Sequence, residues 1–268
     1  MGMSNKSRIV ILLAALPLAL LCGCRDEEGA RAHSATSPTQ LKIEILEEYP
    51  HDTGAFTQGL LWHNGFLFES TGRYGRSEIR KLRLETGDVL LRRSLPPSFF
   101  GEGLARIGNR LTQITWMEQT AFVYDLGTLK ETARIQYSGE GWGLCFDGNW
   151  LIMSDGSSKL TFRDPASLAV WKTVEVTLDD RPVSNLNELE YVEGRIYANI
   201  WQTSLLVEID PESGIVTAQI DTSSLPYTTR RAGEDVLNGI AYRPDKGTFL
   251  LTGKLWPSIY EVRFIPQD

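Results

Sequence analysis

Residues 58–72, QGLLWHNGFLFESTG, begin with a polar residue, a glycine and a leucine, cross a short Asn-Gly turn, and resume as a second alternating run. The same order returns in EGLARIGNRLTQITW (102–116), WGLCFDGNWLIMSDG (142–156), NELEYVEGRIYANIW (187–201) and NGIAYRPDKGTFLLTGK (238–254). The starts lie 44, 40, 45 and 51 residues apart, and the last copy is longer only inside its turn, at RPDKG. Four of the copies run on into a third alternating segment and another turn: IRKLRLETGDVL, AFVYDLGTLKET, KLTFRDPASLAV and LLVEIDPESGIV. Alternation with period two, β-branched and aromatic residues, and Asp-Pro or Thr-Gly punctuation mark short strands and reversals. Between 41 and 268 no ten-residue stretch holds a helical spacing, although TSSLPYTTRRAGED (222–235) has room for a turn or two of helix.

Five repeats of 40 to 51 residues with three or four strands each predict an all-β, five-bladed β-propeller over residues 41–268. The competing two-sheet sandwich offers no reason for five copies in register. Closing the ring needs one blade built from both chain ends, since an open ring leaves unpaired edges. The last copy stops at SIYEVRF, one strand short, and LKIEILEEY (41–49) is a strand to spare at the front. The two are expected to share a sheet.

Composition bounds the partners. The 268 residues carry a formal charge of −7 and no basic run beyond the first eight residues, which excludes an electrostatic nucleic-acid binder. Those first residues hold Lys6 and Arg8 and precede the apolar run IVILLAALPLALLCG, too short for a bilayer span and suited to a signal peptide. Leu21-Cys22-Gly23-Cys24 resembles a bacterial lipobox. The expectation is a lipoprotein signal over 1–23, acylation of Cys24, and a periplasmic protein tethered to the outer membrane, the address implied by Arg25. An ordinary cleaved signal peptide is the alternative. Residues 24–40 are polar and without period, a flexible tether; His33 in it has no role. Removal of Lys6 and Arg8 with the signal takes the charge from −7 to −9. Cys145 is then the only cysteine besides Cys24, so no structural disulfide is expected and Cys145 reads as a small buried hydrophobe. The charged stretches EEYPHD (47–52) and DDRP (179–182) read as solvated turns, and SDGSS (154–158) as another turn.

In a propeller the first strand of each blade lines the central channel, so equivalent repeat positions form rings. One ring is Gln58, Glu102, Trp142, Asn187 and Asn238; a second, at the end of the next strand, is Gly72, Trp116, Gly156, Trp201 and Lys254. The Gly-Leu core of the repeat agrees between copies while these positions differ. Unlike polar and aromatic groups on a shared scaffold are what a binding site requires.

Eight strings also carry a resemblance: PHDTGAFTQGL, FESTGRYGRS, FGEGL, GWGL, LNELEY, NIWQT, DVLNGIAY and TGKLWP, in order from about Glu48 to Phe264. Together they resemble the plant- and bacterial-type glutaminyl-peptide cyclotransferases, five-bladed propellers that convert an N-terminal Gln to pyroglutamate with release of ammonia. The resemblance implies a tunnel-mouth site of Phe56, Gln58, Phe100, Glu102, Trp116, Trp142, Asn187, Trp201 and Lys254. Seven of the nine fall on the two rings, and Phe56 and Phe100 stand two residues before ring members, on the same face of an extended strand.

The chemistry fits those types. The α-amine attacks its own side-chain carboxamide, so no enzyme nucleophile is required, and holding the geometry is worth effective molarities of about 10⁵–10⁸ M. Glu102 is expected to shuttle the proton from amine to departing ammonia, in an apolar mouth that raises its pKa while Lys254 opposes the rise. Lys254 and Asn187 would polarise the carboxamide oxygen. Gln58 would position the substrate amide. Phe56 and Phe100 would flank the mouth, and Trp116, Trp142 and Trp201 would frame the pocket and face the incoming ammonium. His51 and His63 stand alone, without zinc-ligand spacing, so neither catalytic zinc nor a cofactor is expected and no metal ligands are assigned; a cation trapped in the central channel stays open. Expected partners are peptides or proteins with N-terminal Gln and, through Cys24, a membrane; the chain is expected to be a monomer. Two other functions compete: a non-catalytic envelope scaffold, which would be indifferent to loss of Glu102, and a sugar-cleaving enzyme, which would want a second carboxylate across the site.

Overall fold

The computed structural model describes residues 37–226 and 234–267; the signal and most of the tether lie outside the described residues, as do positions 227–233 of the segment allowed a helical turn. Strand β1 (Thr39–Pro50) is followed by four strands of one sheet, β2 (Thr57–His63), β3 (Phe66–Thr71), β4 (Glu78–Leu82) and β5 (Val89–Ser94). A second antiparallel sheet holds β6 (Gly101–Ile107), β7 (Arg110–Thr115), β8 (Thr120–Asp125) and β9 (Glu131–Gln136), and a third β10 (Leu144–Phe146), β11 (Leu151–Met153), β12 (Lys159–Arg163) and β13 (Val170–Glu175). A small hairpin, β14 (Thr177–Leu178) and β15 (Arg181–Pro182), separates them from β16 (Leu186–Val192), β17 (Arg195–Ile200), β18 (Leu205–Ile209) and β19 (Val216–Asp221). Last come β20 (Leu237–Arg243), β21 (Thr248–Gly253) and β22 (Ser258–Pro266).

These strands form five blades that close into a ring, the last two joined through β1 in one eight-stranded sheet. Inner strand β2 packs on β6, β6 on β10, β10 on β16, β16 on β20, and β20 back on β2. Five core clusters match the five interfaces: Phe68 and Ile79 meet Leu104 and Phe122, Ala105 and Ile114 meet Leu144 and Leu151, and Cys145 and Phe162 meet Leu189 and Ile196. Leu206 and Ile220 then meet Ile240 and Leu251, and Ala241 and Leu250 meet Leu60 and Leu67. Period-two alternation does the sorting, since Leu104 faces one neighbouring blade and Ala105 the next. The structure is thus the five-bladed propeller expected. Cys145 is a buried core residue, its thiol pushed up by burial.

Closure is made by β1. It runs antiparallel to β22 from Leu41↔Pro266 to Pro50↔Ser258. Its first residues also pair in parallel with β19, from Thr39↔Ala218 to Lys42↔Asp221. The N-terminal strand therefore completes the last blade and stitches it to the one before.

The repeat's glycine marks where inner strands crowd the axis. A Cβ on Gly143 would run into the carbonyl of Asn187 and come within 2.9 Å of the Cα of Glu188. The residue just before it is aimed by a bulge. Pairing slips between Thr57 and Gly59, Gly101 and Leu104, Leu186 and Leu189, and Leu237 and Ile240, so that Gln58, Glu102, Asn187 and Asn238 each sit inside a slip.

Two of the three stretches read as turns behave so. Asp179 and Asp180 both take positive φ, the geometry of a tight hairpin turn, and Asp155 Oδ1 accepts from Ser157 N and Oγ. EEYPHD does not. His51 is buried, with Nδ1 donating to the Trp256 carbonyl at 2.9 Å and Nε2 lying 3.1 Å from Glu69 Oε1. Asp52 meets Arg80 at 2.8 Å, and Arg80 grips Glu69 through Nε and Nη2. The cations and hydrogen bonds around Glu69 hold its carboxyl well below the usual range despite full burial.

Candidate active site

A cavity of about 230 Å³ opens at one end of the channel. Its lining is Phe56, Gln58, Phe100, Glu102, Trp116, Trp142, Asn187, Trp201 and Lys254, so the nine expected positions come from all five blades to one place. Glu102 is only 4% exposed and Lys254 only 5%. Gln58 Nε2 donates to Glu102 Oε1 at 2.8 Å, and Gln58 Oε1 accepts from Asn238 Nδ2 at 3.2 Å. Asn238, the fifth member of the first ring, thus orients Gln58, and Gln58 orients the carboxylate. Beneath them Ser70 Oγ donates to the Glu102 carbonyl, and Gln113 Nε2 donates to Ser70 Oγ at 2.7 Å.

The electrostatics follow from burial. Desolvation pushes the Glu102 carboxyl well above its ordinary range; Lys254 pulls it down, and Glu140 and Glu118 push it further up. Desolvation lowers Lys254 to about 8, with Glu102 resisting. Among the described residues Lys254 makes no ion pair, and its Nζ stands 4.9 Å from the Phe56 ring centroid. Among the same residues the Asn187 side chain makes no hydrogen bond within the protein, and its Oδ1 is buried without a partner.

The aromatic walls interlock edge to face. Phe56 meets Phe100 at 6.1 Å, Phe100 meets Trp116 at 5.7 Å, and Trp142 meets Trp201 at 5.4 Å. The glycines of the second ring leave room for these rings. A Cβ on Gly156 would lie 2.7 Å from the Trp142 indole, and one on Gly72 would strike Phe100.

The sequence pattern of the glutamine cyclotransferases matches residues 15–264. The chain is 42% identical over 227 residues to the glutaminyl-peptide cyclotransferase of Arabidopsis thaliana, spanning 83% of this chain and 71% of that one. The chain belongs to the glutamine cyclotransferase family. The crystal structure of Myxococcus xanthus glutaminyl cyclase matches it with a TM-score of 0.81 and 43% identity, over 87% of this chain and all of that one.

Three acidic residues of this cyclotransferase lie at or below the cavity without being foreseen. Glu188 takes the slot that is glycine in the other four repeats; its two oxygens accept from Leu60 N at 3.1 Å and Ile240 N at 2.8 Å, and desolvation pushes its carboxyl far up. Glu118 accepts from Tyr74 OH at 2.7 Å and from Phe100 N at 3.2 Å. Glu140 accepts from the indole N–H groups of both Trp116 and Trp142. A signal for the last existed: Gly-Glu-Gly occurs twice, at 101–103 and at 139–141. Among the described residues no group of three or more His, Cys, Asp or Glu is placed to hold a metal ion.

Proposed function

We propose that the cavity holds an N-terminal glutaminyl residue with its α-amine against Glu102 and its carboxamide oxygen against Lys254 and Asn187. The protein is a glutaminyl-peptide cyclotransferase, converting N-terminal Gln to pyroglutamate and ammonia. The observation that supports this assignment of roles is a desolvated carboxylate and a desolvated lysine in one aromatic cavity, neither neutralised by a salt bridge among the described residues.

In the proposed reaction the amine lone pair attacks the carboxamide carbon and forms the ring C–N bond. Glu102 takes the amine proton. Charge moving onto the carboxamide oxygen meets Lys254 Nζ and the Asn187 amide. As the tetrahedral centre collapses, the original C–N bond breaks and Glu102 returns the proton to the departing nitrogen, which leaves as NH₃. No water is consumed. Burial suits Glu102 to both transfers, because a raised pKa makes it a stronger base toward the amine than an ordinary carboxylate. Gln58 serves chiefly to hold Glu102 Oε1, leaving Oε2 for the amine. The walls exclude water and keep the side chain curled toward its own amine.

Glu102→Gln keeps the shape and removes the base. With a glutaminyl dipeptide amide as substrate and ammonia as readout, kcat is expected to fall about 10²–10⁴-fold with KM within a few-fold. Unchanged turnover would show the proton passing elsewhere, and would favour a scaffold role for the cavity.

The leader is the second part of the reading. Residues 1–23 act as a lipoprotein signal and Cys24 is acylated. The tether, read from the sequence as 24–40, ends at Pro38 because Thr39 and Gln40 already pair in β1. It holds the propeller at the periplasmic face of the outer membrane as a monomer. The sequence from Lys6 to Arg25 supports this. Mass spectrometry of the N-terminal peptide from membrane fractions is expected to find acylated Cys24; a soluble chain with an unmodified N-terminus would refute the anchor.

A further inference from the structure

Glu140 does not line the cavity. It lies in the connection between β9 and β10, half-buried, behind two of the cavity walls. One of its oxygens, Oε1, accepts hydrogen bonds from two indoles: Trp116 Nε1, and Trp142 Nε1 at 2.9 Å. Trp116 follows β7 in the second blade, and Trp142 precedes β10 in the third. The backbone is laced across the same gap, with Gly141 N donating to the Trp116 carbonyl at 3.0 Å and Gly103 N to the Trp142 carbonyl at 2.7 Å. Main-chain bonds place the two tryptophan backbones. They do not fix how each ring turns about its side-chain torsions.

An indole offers a single donor and no acceptor, so the direction of its N–H reports the orientation of the whole ring plane. Two such donors converging on one carboxylate oxygen tie two ring planes to one point. Both bonds end on the same oxygen, so a single acceptor constrains both rings. The other contacts of these rings are edge-to-face packing, Trp116 on Phe100 and Trp142 on Trp201, which tolerates sliding. Among the described residues Glu140 is therefore the one directional constraint on either indole.

We propose that Glu140 is a positioning residue that sets the gap between the Trp116 and Trp142 walls and so the fit of the glutaminyl side chain. This rests on the reading of those walls as the substrate cavity. The role needs an acceptor oxygen, not a negative charge, and that distinguishes it from a general electrostatic effect or from bulk filling.

The test compares Glu140→Leu, which keeps size and loses the acceptor, with Glu140→Gln, which keeps an acceptor for both N–H groups. With a glutaminyl dipeptide amide, E140L is expected to raise KM on the order of tenfold, ~1.4 kcal/mol of binding, with kcat within about threefold. E140Q is expected to keep KM within about threefold of the parent. In a Trp116→Phe, Trp142→Phe background, which has no N–H to hold, E140L is expected to change KM by less than about twofold. Three results would overturn the role: a parental KM in E140L, an equal rise in E140Q, or the same rise in the Phe background. A lower melting temperature in E140L with parental KM would make Glu140 structural only, which also overturns it. Trp116→Ala and Trp142→Ala separate the two levels. If neither changes KM, the reading of the walls fails, and the proposal with it; if both raise KM and E140L does not, only the role of Glu140 fails.

Discussion

Burial moves the two ionisable groups of the cavity toward each other, Glu102 upward and Lys254 down to about 8. Gln58 from β2 holds the carboxylate by a hydrogen bond, and the charges of Lys254 beyond β21, Glu140 before β10 and Glu118 after β7 act on it from around the cavity. The base form of Glu102 is lost as pH falls through its raised pKa, so kcat should decline on the acid side well above the ordinary carboxylate range of about 4. The cation of Lys254 is lost as pH rises through about 8, which gives an alkaline limb there. Lys254→Met is expected to lower kcat about 10²-fold or more, abolish the alkaline limb, and move the acid limb upward, because the group that pulls Glu102 down is gone. A kcat–pH profile on a glutaminyl peptide amide checks all three; an alkaline limb surviving in the variant would assign it to another group. Seven of the nine cavity residues were legible as ring positions because a propeller repeat converts sequence equivalence into spatial proximity; the family resemblance singled them out within the rings and added Phe56 and Phe100. Glu140 was not legible, since it lies in an inter-blade connection two residues ahead of a ring position, where its Gly-Glu-Gly matches that of Glu102 in residues but not in its place within the repeat. His51 and Asp52 misled for a related reason: their partners Glu69 and Arg80 stand on β3 and β4, and a charge reads as solvated until a distant partner is known.

The element that delivers function is the inner strand, and its device is a bulge followed by a crowded glycine. The bulge turns Gln58, Glu102, Asn187 or Asn238 into the channel, and the glycine lets the next blade close against it. Sequence showed the Gly-Leu core and the divergence before it, but not the bulge, which is a slip in pairing and has no residue signature. In the fourth blade Glu188 replaces the glycine, and its carboxyl oxygens accept the backbone N–H groups of Leu60 and Ile240 across the channel. Gly143→Ala tests the crowding. Its Cβ would strike the Asn187 carbonyl, so β16 must retreat and carry Asn187 with it. The expected loss of stability is about 1–3 kcal/mol, the usual range for overpacking. Because a displacement near 1 Å can cost about 10²-fold in rate, kcat should fall by at least about tenfold in protein that remains folded at assay temperature. Thermal melts alongside kcat check both, and a melt that shifts with unchanged kcat would mean Asn187 had not moved.

At the scale of the molecule, five blades cohere only if the ring is shut, and here one strand shuts it. The spare strand at the front and the missing one at the back were both visible in the sequence; that β1 would also pair in parallel with β19 was not, because nothing in its residues distinguishes one edge from two. The double pairing makes β1 a clasp rather than a fourth strand alone. Ile43 is its core residue, 7% exposed, opposite Phe264 and packed with Leu206, Ile220 and Val262. Ile45, two residues on and just ahead of the irregularity in the β1–β22 pairing, is 40% exposed. Ile43→Asp would bury an unpaired carboxylate in the seam, one of the few substitutions that reach about 4 kcal/mol. For a domain of this size that corresponds to a fall in Tm of about 10 °C. Ile45→Asp carries the same chemical change into solvent, and its effect is expected to stay within about 1 kcal/mol. Differential scanning of the two variants compares seam with surface on a single strand. Equal melting temperatures would mean that the ring holds without its clasp, and that the inter-blade cores alone keep the five cavity walls together.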